Sequence, residues 1–292
     1  MTRMMTTTMM TTMMTTRTTR TTMKRAALLA AVLVASTGCP GHGGGHYAAP
    51  AVTVTVADVI AKLDAQRTSR ASFTGESTMD YWLGDQRVKG TVLVMGTSQR
   101  QVRFNALSPQ GGGVLADMAC NGTDYQYVDF QHNCQLAGPC NAASIASLLR
   151  IALEPDDFLR LAVGGVPVAP GSTGTVTWDG AKGYWRVQLA SAAGKQSIVI
   201  DARDNHWDVI ASELLGPDGK QVWAVENADF ADVADSAGTP QRLPGKTRFK
   251  SAGEHADLLV AWTTRTLNVT LEPAKFVVDV PAGLPTCGAT TP

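Results

Sequence analysis

Five thiols carry most of the chemistry open to this 292-residue chain: Cys39, Cys120, Cys134, Cys140 and Cys287. A thiol can act as a nucleophile, a metal ligand or half of a disulfide. No Cys-x-x-Cys pair occurs, so the spacing of redox motifs and zinc ribbons is absent. If Cys39 is committed to another bond, an even number remains, which an oxidising compartment would convert into two disulfides. Three pairings are possible, and the spacing does not choose among them.

The histidines and carboxylates offer less. His42 and His46 lie in a Gly-rich stretch that cannot preorganise metal ligands. His132, His206 and His255 fall on expected loops or strand edges, near Asp204, Asp208, Glu254 and Asp257. Polar residues at turns are far commoner than acid–base pairs. Asp156 and Asp157 follow Pro155 at an expected helix start, where carboxylates favour the positive end of the helix dipole. No Gly-x-Ser-x-Gly, His-Glu-x-x-His or phosphate-loop motif is present. The reading is a protein with no catalytic residue, no metal and no cofactor.

Cys39 gains meaning from what precedes it. Residues 1–22 are a Thr/Met tract with scattered Arg, unable to build a core. Eight of the eleven Met residues fall within the first 23 positions, which suggests that translation starts at Met23. From there Lys24 and Arg25 precede an apolar run from Ala26 to Ala35, too short to span a bilayer as a helix. The run ends in Ser36-Thr37-Gly38-Cys39, a sequence similar to the lipobox read by prolipoprotein-processing enzymes. Residues 23–38 are therefore expected to be a lipoprotein signal peptide, with Cys39 the acylated residue. Pro40 follows it, where many inner-membrane lipoproteins carry Asp, so the expected place is the outer membrane, facing the periplasm.

The chain holds 25 basic and 25 acidic residues, but the first 38 positions contain five basic residues and no acidic one, leaving about −5 beyond them. A mildly acidic surface without basic clusters excludes nucleic acid as a partner. Attachment to a membrane then falls to the acyl anchor rather than to charge.

Residues 39–52, the lipidated cysteine and a Gly-rich tether, lead into one expected domain over 53–288. Val56, Val59, Ile60 and Leu63 follow helical spacing over about 56 to 68, with Thr55 and Asp58 placed as a capping box. The period then changes to two. Phe73, Gly75, Ser77, Met79 and Tyr81 alternate with polar residues, and Val88 to Met95 alternates again, which predicts a long hairpin. Strands are expected at Gln101 to Leu107, Gly113 to Ala119 and Asp124 to Phe130. Helical spacing returns at Ile145, Leu148, Leu149 and Ala152, then at Phe158, Leu161 and Ala162 behind Pro155. Strand patterns resume at Thr173 to Trp178, Tyr184 to Ala190, Gln196 to Asp201, Trp207 to Leu215 and Gln221 to Ala228. They end with Thr247 to Ser251, Leu258 to Leu271 and Phe276 to Val280. Helix, strands, helical insert and more strands imply a highly curved antiparallel sheet with helices on its concave face.

At two places the residues resemble the LolA/LolB superfamily of bacterial lipoprotein carriers, LolB above all. Arg87-Val88-Lys89-Gly90-Thr91-Val92-Leu93-Val94 is similar to a LolB strand. Arg100-Gln101-Val102-Arg103-Phe104-Asn105-Ala106-Leu107-Ser108-Pro109-Gln110-Gly111 is similar to its Arg-x-Arg strand and Pro-x-Gly loop. The insert, Phe158-Leu159-Arg160-Leu161 running to Gly164-Gly165-Val166-Pro167, also falls where the family has it. The likeness covers about 60 to 260 loosely and 70 to 168 best.

The resemblance implies a mainly β fold with some α: an unclosed antiparallel β-barrel of about eleven strands, lidded by short helices around an apolar cavity for acyl chains. Phe73, Met79, Val92, Val94 and Phe104 are candidate wall residues, with Leu148, Leu149 and Leu161 closing the top. The implied partners are the membrane through the anchor, acyl-chain or lipoprotein cargo, and a periplasmic carrier. Where LolB exposes an apolar residue at the loop tip, this chain has Gln110; a second candidate contact is the apolar hairpin end at Trp82 and Leu83. The competing expectation is that the same apolar residues fill a solid core, as in most small barrels, and that the protein is a non-catalytic envelope scaffold.

Overall fold

Residues 46–288 are described in the computed structural model, apart from Gln110, Gly112, Ala152 and the side chains of Leu83, Gln86 and Leu149. The signal segment, Cys39 and His42 lie outside the described residues.

The first helix, α1 (Val56–Ser69), starts where the sequence marks it. The Asp58 carboxylate accepts from the Thr55 backbone N–H at 2.9 Å, and the Thr55 hydroxyl accepts from the Asp58 N–H at 3.2 Å. This reciprocal pair satisfies orphan donors of the first turn. The Asp58 carboxyl is held below its ordinary value, chiefly by the hydrogen bond from the Thr55 side chain.

Thirteen strands follow, each alternating between a face packed under the helices and an outer face. The first group is β1 (Ser72–Leu83), β2 (Gln86–Thr97), β3 (Gln101–Leu107), β4 (Val114–Asn121), β5 (Asp124–Asp129) and β6 (Cys134–Pro139). After α2 (Ala142–Leu149) and α3 (Pro155–Ala162) come β7 (Thr173–Asp179), β8 (Tyr184–Ser191), β9 (Gly194–Asp201) and β10 (Asp208–Leu215). The last group is β11 (Gln221–Ala234), β12 (Pro240–Ser251) and β13 (Ala256–Leu267). All pairings within this one sheet are antiparallel, in the order β6-β5-β4-β3-β2-β1-β13-β12-β11-β10-β9-β8-β7.

That order explains the rest of the architecture. The first and last strands pair in the middle, Met79 opposite Val260, while β6 and β7 are the two edges and do not pair. Every connection joins neighbours except β6 to β7, which must cross from one edge to the other. The crossing is made by α2 and α3. A sheet of this many twisted strands curls, and the crossing helices roof the hollow it forms.

The two halves of the hollow are packed differently. Against β7 to β11, a solid core joins Val59 and Leu63 of α1 to Trp185, Val187, Ile198 and Val225. Under α3, Phe73, Val94, Leu243 and Leu267 meet Leu159 and Val163. Under α2, Ile145 meets Val102 and Met118. Asn141 caps α2 by accepting from the Ser144 N–H at 3.0 Å, and Pro155 opens α3 at its first turn.

The carboxyl-terminal segment departs from expectation. Phe276 to Val280 alternates like a strand but forms no ladder: Pro273–Phe276 is a short 3-10 helix and the chain beyond it is extended. Val278 is buried against Ala119 and Val128 on the outer face of β4 and β5. The alternation therefore records a chain lying across a sheet face, not along an edge. Further on, Gln135 donates its N–H to the Pro285 carbonyl at 2.9 Å and accepts from Cys287 at 3.0 Å, so the tail covers the open edge of β6. Capping an exposed edge in this way blocks strand addition by other chains.

The disulfides are Cys120–Cys140 and Cys134–Cys287, one of the three open pairings. The first ties β4 to the start of α2; the second ties the tail to β6. The sheet has thirteen strands against the eleven or so that the resemblance implies; β6, which lacks apolar alternation, was not expected, and β12 begins at Pro240, before the expected Thr247. Tyr47, within the expected tether, is docked: its N–H donates to the Gly180 carbonyl at 2.8 Å and its carbonyl accepts from the Trp178 indole at 3.1 Å.

Replacing Cys134 and Cys287 together by serine is expected to lower the unfolding free energy by about 2–4 kcal/mol, measured by denaturant titration. In that variant amide exchange should accelerate at Val278 and Thr286 while β8 and β9 stay protected.

Candidate functional site: an apolar cavity under the helical roof

A cavity of about 460 Å³ lies between β1–β4, β12, β13 and the roof. It falls within the ~300–1,000 Å³ range of small-molecule sites. Five expected wall residues, Phe73, Met79, Val92, Val94 and Phe104, line it, as does Leu161 from α3. Leu148 does not reach it; that side chain packs with Cys140 and Ile145 beneath α2. Ile151 and Leu153, in the link between α2 and α3, take the roof position instead. The side chain of Leu149 is outside the described residues.

The walls follow from strand register. Met79 faces Val260 across one strand pair and Gly90 across the other, and Val94 faces Phe104. Phe104 meets Phe158 of the roof edge to face, with ring centroids 5.5 Å apart. The cavity reaches the surface at the end carrying the β1–β2, β3–β4 and β12–β13 turns, where Val88, 67% exposed, and Pro109 line its mouth.

Aromatic rings over missing side chains build the floor. The Trp262 ring lies on Gly75, where an added Cβ would sit 2.9 Å from the ring and 2.7 Å from the Thr264 carbonyl. Phe73 meets Trp262 edge to face at 5.8 Å. Below stands Arg265, its guanidinium 4.8 Å from the Trp262 ring centroid, a cation–π contact.

Arg265 and Arg70 are both buried and fix the roof from beneath. Arg265 donates to the carbonyls of Ala162 and Pro244, each at 2.6 Å, and Arg70 donates to the Val163 carbonyl at 2.8 Å. Ala162 and Val163 end α3, so the two cations satisfy orphan carbonyls at the negative pole of the helix. Burial, with Arg70 nearby, lowers the Arg265 guanidinium to about 9. At the other end of α3, Asp156 is held by Arg67 and Arg160. Arg160 also reaches Asp64 of α1, and Glu154 pairs with Arg100. Neither Arg265 nor Arg70 was picked out in the sequence. Arg265 follows the β-bulge that breaks the phase of β13, and that shift hides its inward position.

The two candidate loop contacts separate. Tyr81 lines the mouth, whereas Trp82 lies on the outer side beneath the Arg87 guanidinium, 4.7 Å from its centroid. Arg87 in turn holds Asp80 through two bonds, at 2.7 and 2.5 Å. Gln110 and the Leu83 side chain lie outside the described residues.

The acid–base candidates do not converge. Asp208 is held by Arg242 at 2.7 Å and Asp257 by Arg248 at 2.5 Å. His132 meets Asp129 at 2.9 Å on an exposed turn. Among the described residues no three His, Cys, Asp or Glu side chains group as a metal site. Nor, among them, is any helix long and apolar enough to cross a membrane.

With this geometry in place, the fold is LolA-like: an unclosed antiparallel sheet under short helices. A LolA superfamily protein of Nitrosomonas europaea is similar over 78% of this chain and 99% of its own, with 11% identity and a TM-score of 0.53. A DUF1329 family protein of Desulfovibrio piger is similar over 75% and 95%, again with 11% identity and a TM-score of 0.53. No known family profile matches the chain, and no curated protein matches it in sequence.

One half-buried carboxyl ties the stability of the roof to pH. Asp157 accepts from the Glu154 N–H at 3.2 Å, and burial pushes its carboxyl up from 3.8 to about 6. Protonation therefore favours the folded state: the stabilisation is complete below about pH 4 and is lost as pH rises through about 6. Relative to Asp157→Asn, the native chain should lose on the order of 2–3 kcal/mol of stability between about pH 4 and pH 7.5. Parallel denaturant titrations at the two pH values measure this; an unchanged difference would refute it.

Proposed function

We propose that this protein is an envelope lipoprotein, acylated on Cys39, that binds acyl chains or lipidated proteins in the cavity under its roof. The observation that carries the reading is an apolar space of about 460 Å³ that reaches the surface, in a sheet whose other half is fully packed. An acyl chain buried there would gain about 0.8 kcal/mol per methylene. The reading places the protein at the outer membrane, held by its anchor and facing the periplasm, with a periplasmic carrier as donor or acceptor. No catalytic step is assigned to it. LolB-type delivery is part of the same proposal, with Gln110 as the polar residue at the tip of the matching loop.

A second reading is a scaffold lipoprotein that uses the fold for protein contacts; the solid half around Trp185 and Ile198 favours it. The two part on lipid. Full chain carrying Cys39→Ala, purified without detergent, is expected to release fatty acyl species under denaturing mass spectrometry and to take up a hydrophobic fluorophore. Absence of both would remove the carrier reading and leave the scaffold.

Acylation is tested separately. Cells fed labelled palmitate should label the native chain and leave Cys39→Ser unlabelled, and the variant should move from the membrane fraction to the soluble fraction.

A further inference from the structure

We propose that the cavity accepts a single acyl chain, so that its ligand is a one-chain amphiphile, a fatty acid or a lysophospholipid, rather than a two- or three-chain lipid. The inference rests on the lipid-binding reading above and narrows it. Its first support is volume: at roughly 25–30 Å³ per carbon, the lower figure being that of a 150 Å³ apolar cavity that takes up benzene, 460 Å³ holds about fifteen to eighteen carbons. Two chains of ordinary membrane length would need about twice that space, and a triacylated protein about three times.

Its second support is that the described walls are tied at several points. The floor is closed by Phe73 and Trp262, and Trp262 is pressed onto Gly75 with Arg265 behind it. Arg265 and Arg70 hold the end of α3 through its carbonyls, tying roof to sheet beside the floor. Towards β8 and β9 the hollow is filled by Trp185, Val187 and Ile198. On the opposite side Cys120–Cys140 pins the start of α2 to β4. Among the described residues the cavity reaches the surface at the mouth, where Tyr81 feels both Arg150 and Glu254. A polar head would remain there, with charge of either sign close by.

The test is a chain-length series. Full chain carrying Cys39→Ala is titrated with saturated fatty acids of about 8 to 20 carbons, and complexes are counted by native mass spectrometry. Affinity should rise roughly fourfold per methylene, break at about fifteen to eighteen carbons and stay flat beyond, with one ligand per chain. A lysophospholipid series should break at the same length. Val260→Phe, which places a ring in the middle of the wall, should move the break down by about two carbons; the series on the otherwise native sequence stands if that variant does not fold. A rise continuing past the break would overturn the single-chain inference. So would one-to-one binding of a diacyl phosphatidylglycerol or a triacyl lipopeptide more tightly than palmitate. Either result leaves lipid binding intact, whereas failure of every lipid to bind overturns both readings.

Discussion

The connection between the two edges of the sheet constrains everything else in this molecule. Because β1 and β13 pair at the centre, β6 and β7 are left far apart in the sheet order, and one segment must join them. That segment carries Ile145, Phe158, Leu159 and Leu161, whose apolar side chains turn towards the sheet and not towards solvent. The roof is thus a consequence of connectivity, and α1 steadies it through the Arg67–Asp156 and Arg160–Asp64 pairs. The ends of α3 are fixed by different means: carboxylates and a proline at its start, two buried guanidinium groups at its finish.

A sheet with one dense half and one hollow half is an unusual compromise in packing. Protein interiors are close-packed, and leaving apolar volume empty costs about 24 cal/mol per Å³. For a sealed void of 460 Å³ the cost would be on the order of 10 kcal/mol, comparable with the whole stability of a domain. Access at the mouth relieves part of this, and an occupant would relieve more. The same strands that could have been filled by larger residues carry Gly90, Val92 and Ala106 at the cavity wall, while β8 and β9 carry Trp185 and Ile200 in their core. The difference in side-chain volume between the two halves is what separates cavity from core.

Much of this was legible in the residues. The capping box at Thr55, the alternation through Phe73 to Met95 and the insert behind Pro155 all mark their elements, and the LolA-like order of elements holds. Periodicity could not separate a wall residue from a core residue, because Val94 and Val187 obey the same alternation and differ only in what stands opposite. It also failed where geometry replaced pattern. β6 offers the core only Leu136, with Gly138 two positions on, too little to mark an alternation, so its place is set by its neighbour and the tail. Arg265 was hidden by a bulge, and the Phe276–Val280 segment alternates against a sheet face, which has the same period as a strand. The cysteine pairing depends on the tail returning across β4 and β5, a path no spacing encodes.

The central pairing of β1 with β13 also sets an order in time. Val260 and Trp262, wall and floor of the hollow, belong to the last strand, and their partners Met79 and Gly75 belong to the first. Contacts so distant along the chain form late, after the loop-closure entropy of everything between them has been met. Until residue 267 is in place the hollow has no floor and only part of its wall. A chain that lacks its last strand therefore offers two unjoined meanders, and whatever the finished cavity holds can enter only a molecule in which β1 and β13 have met.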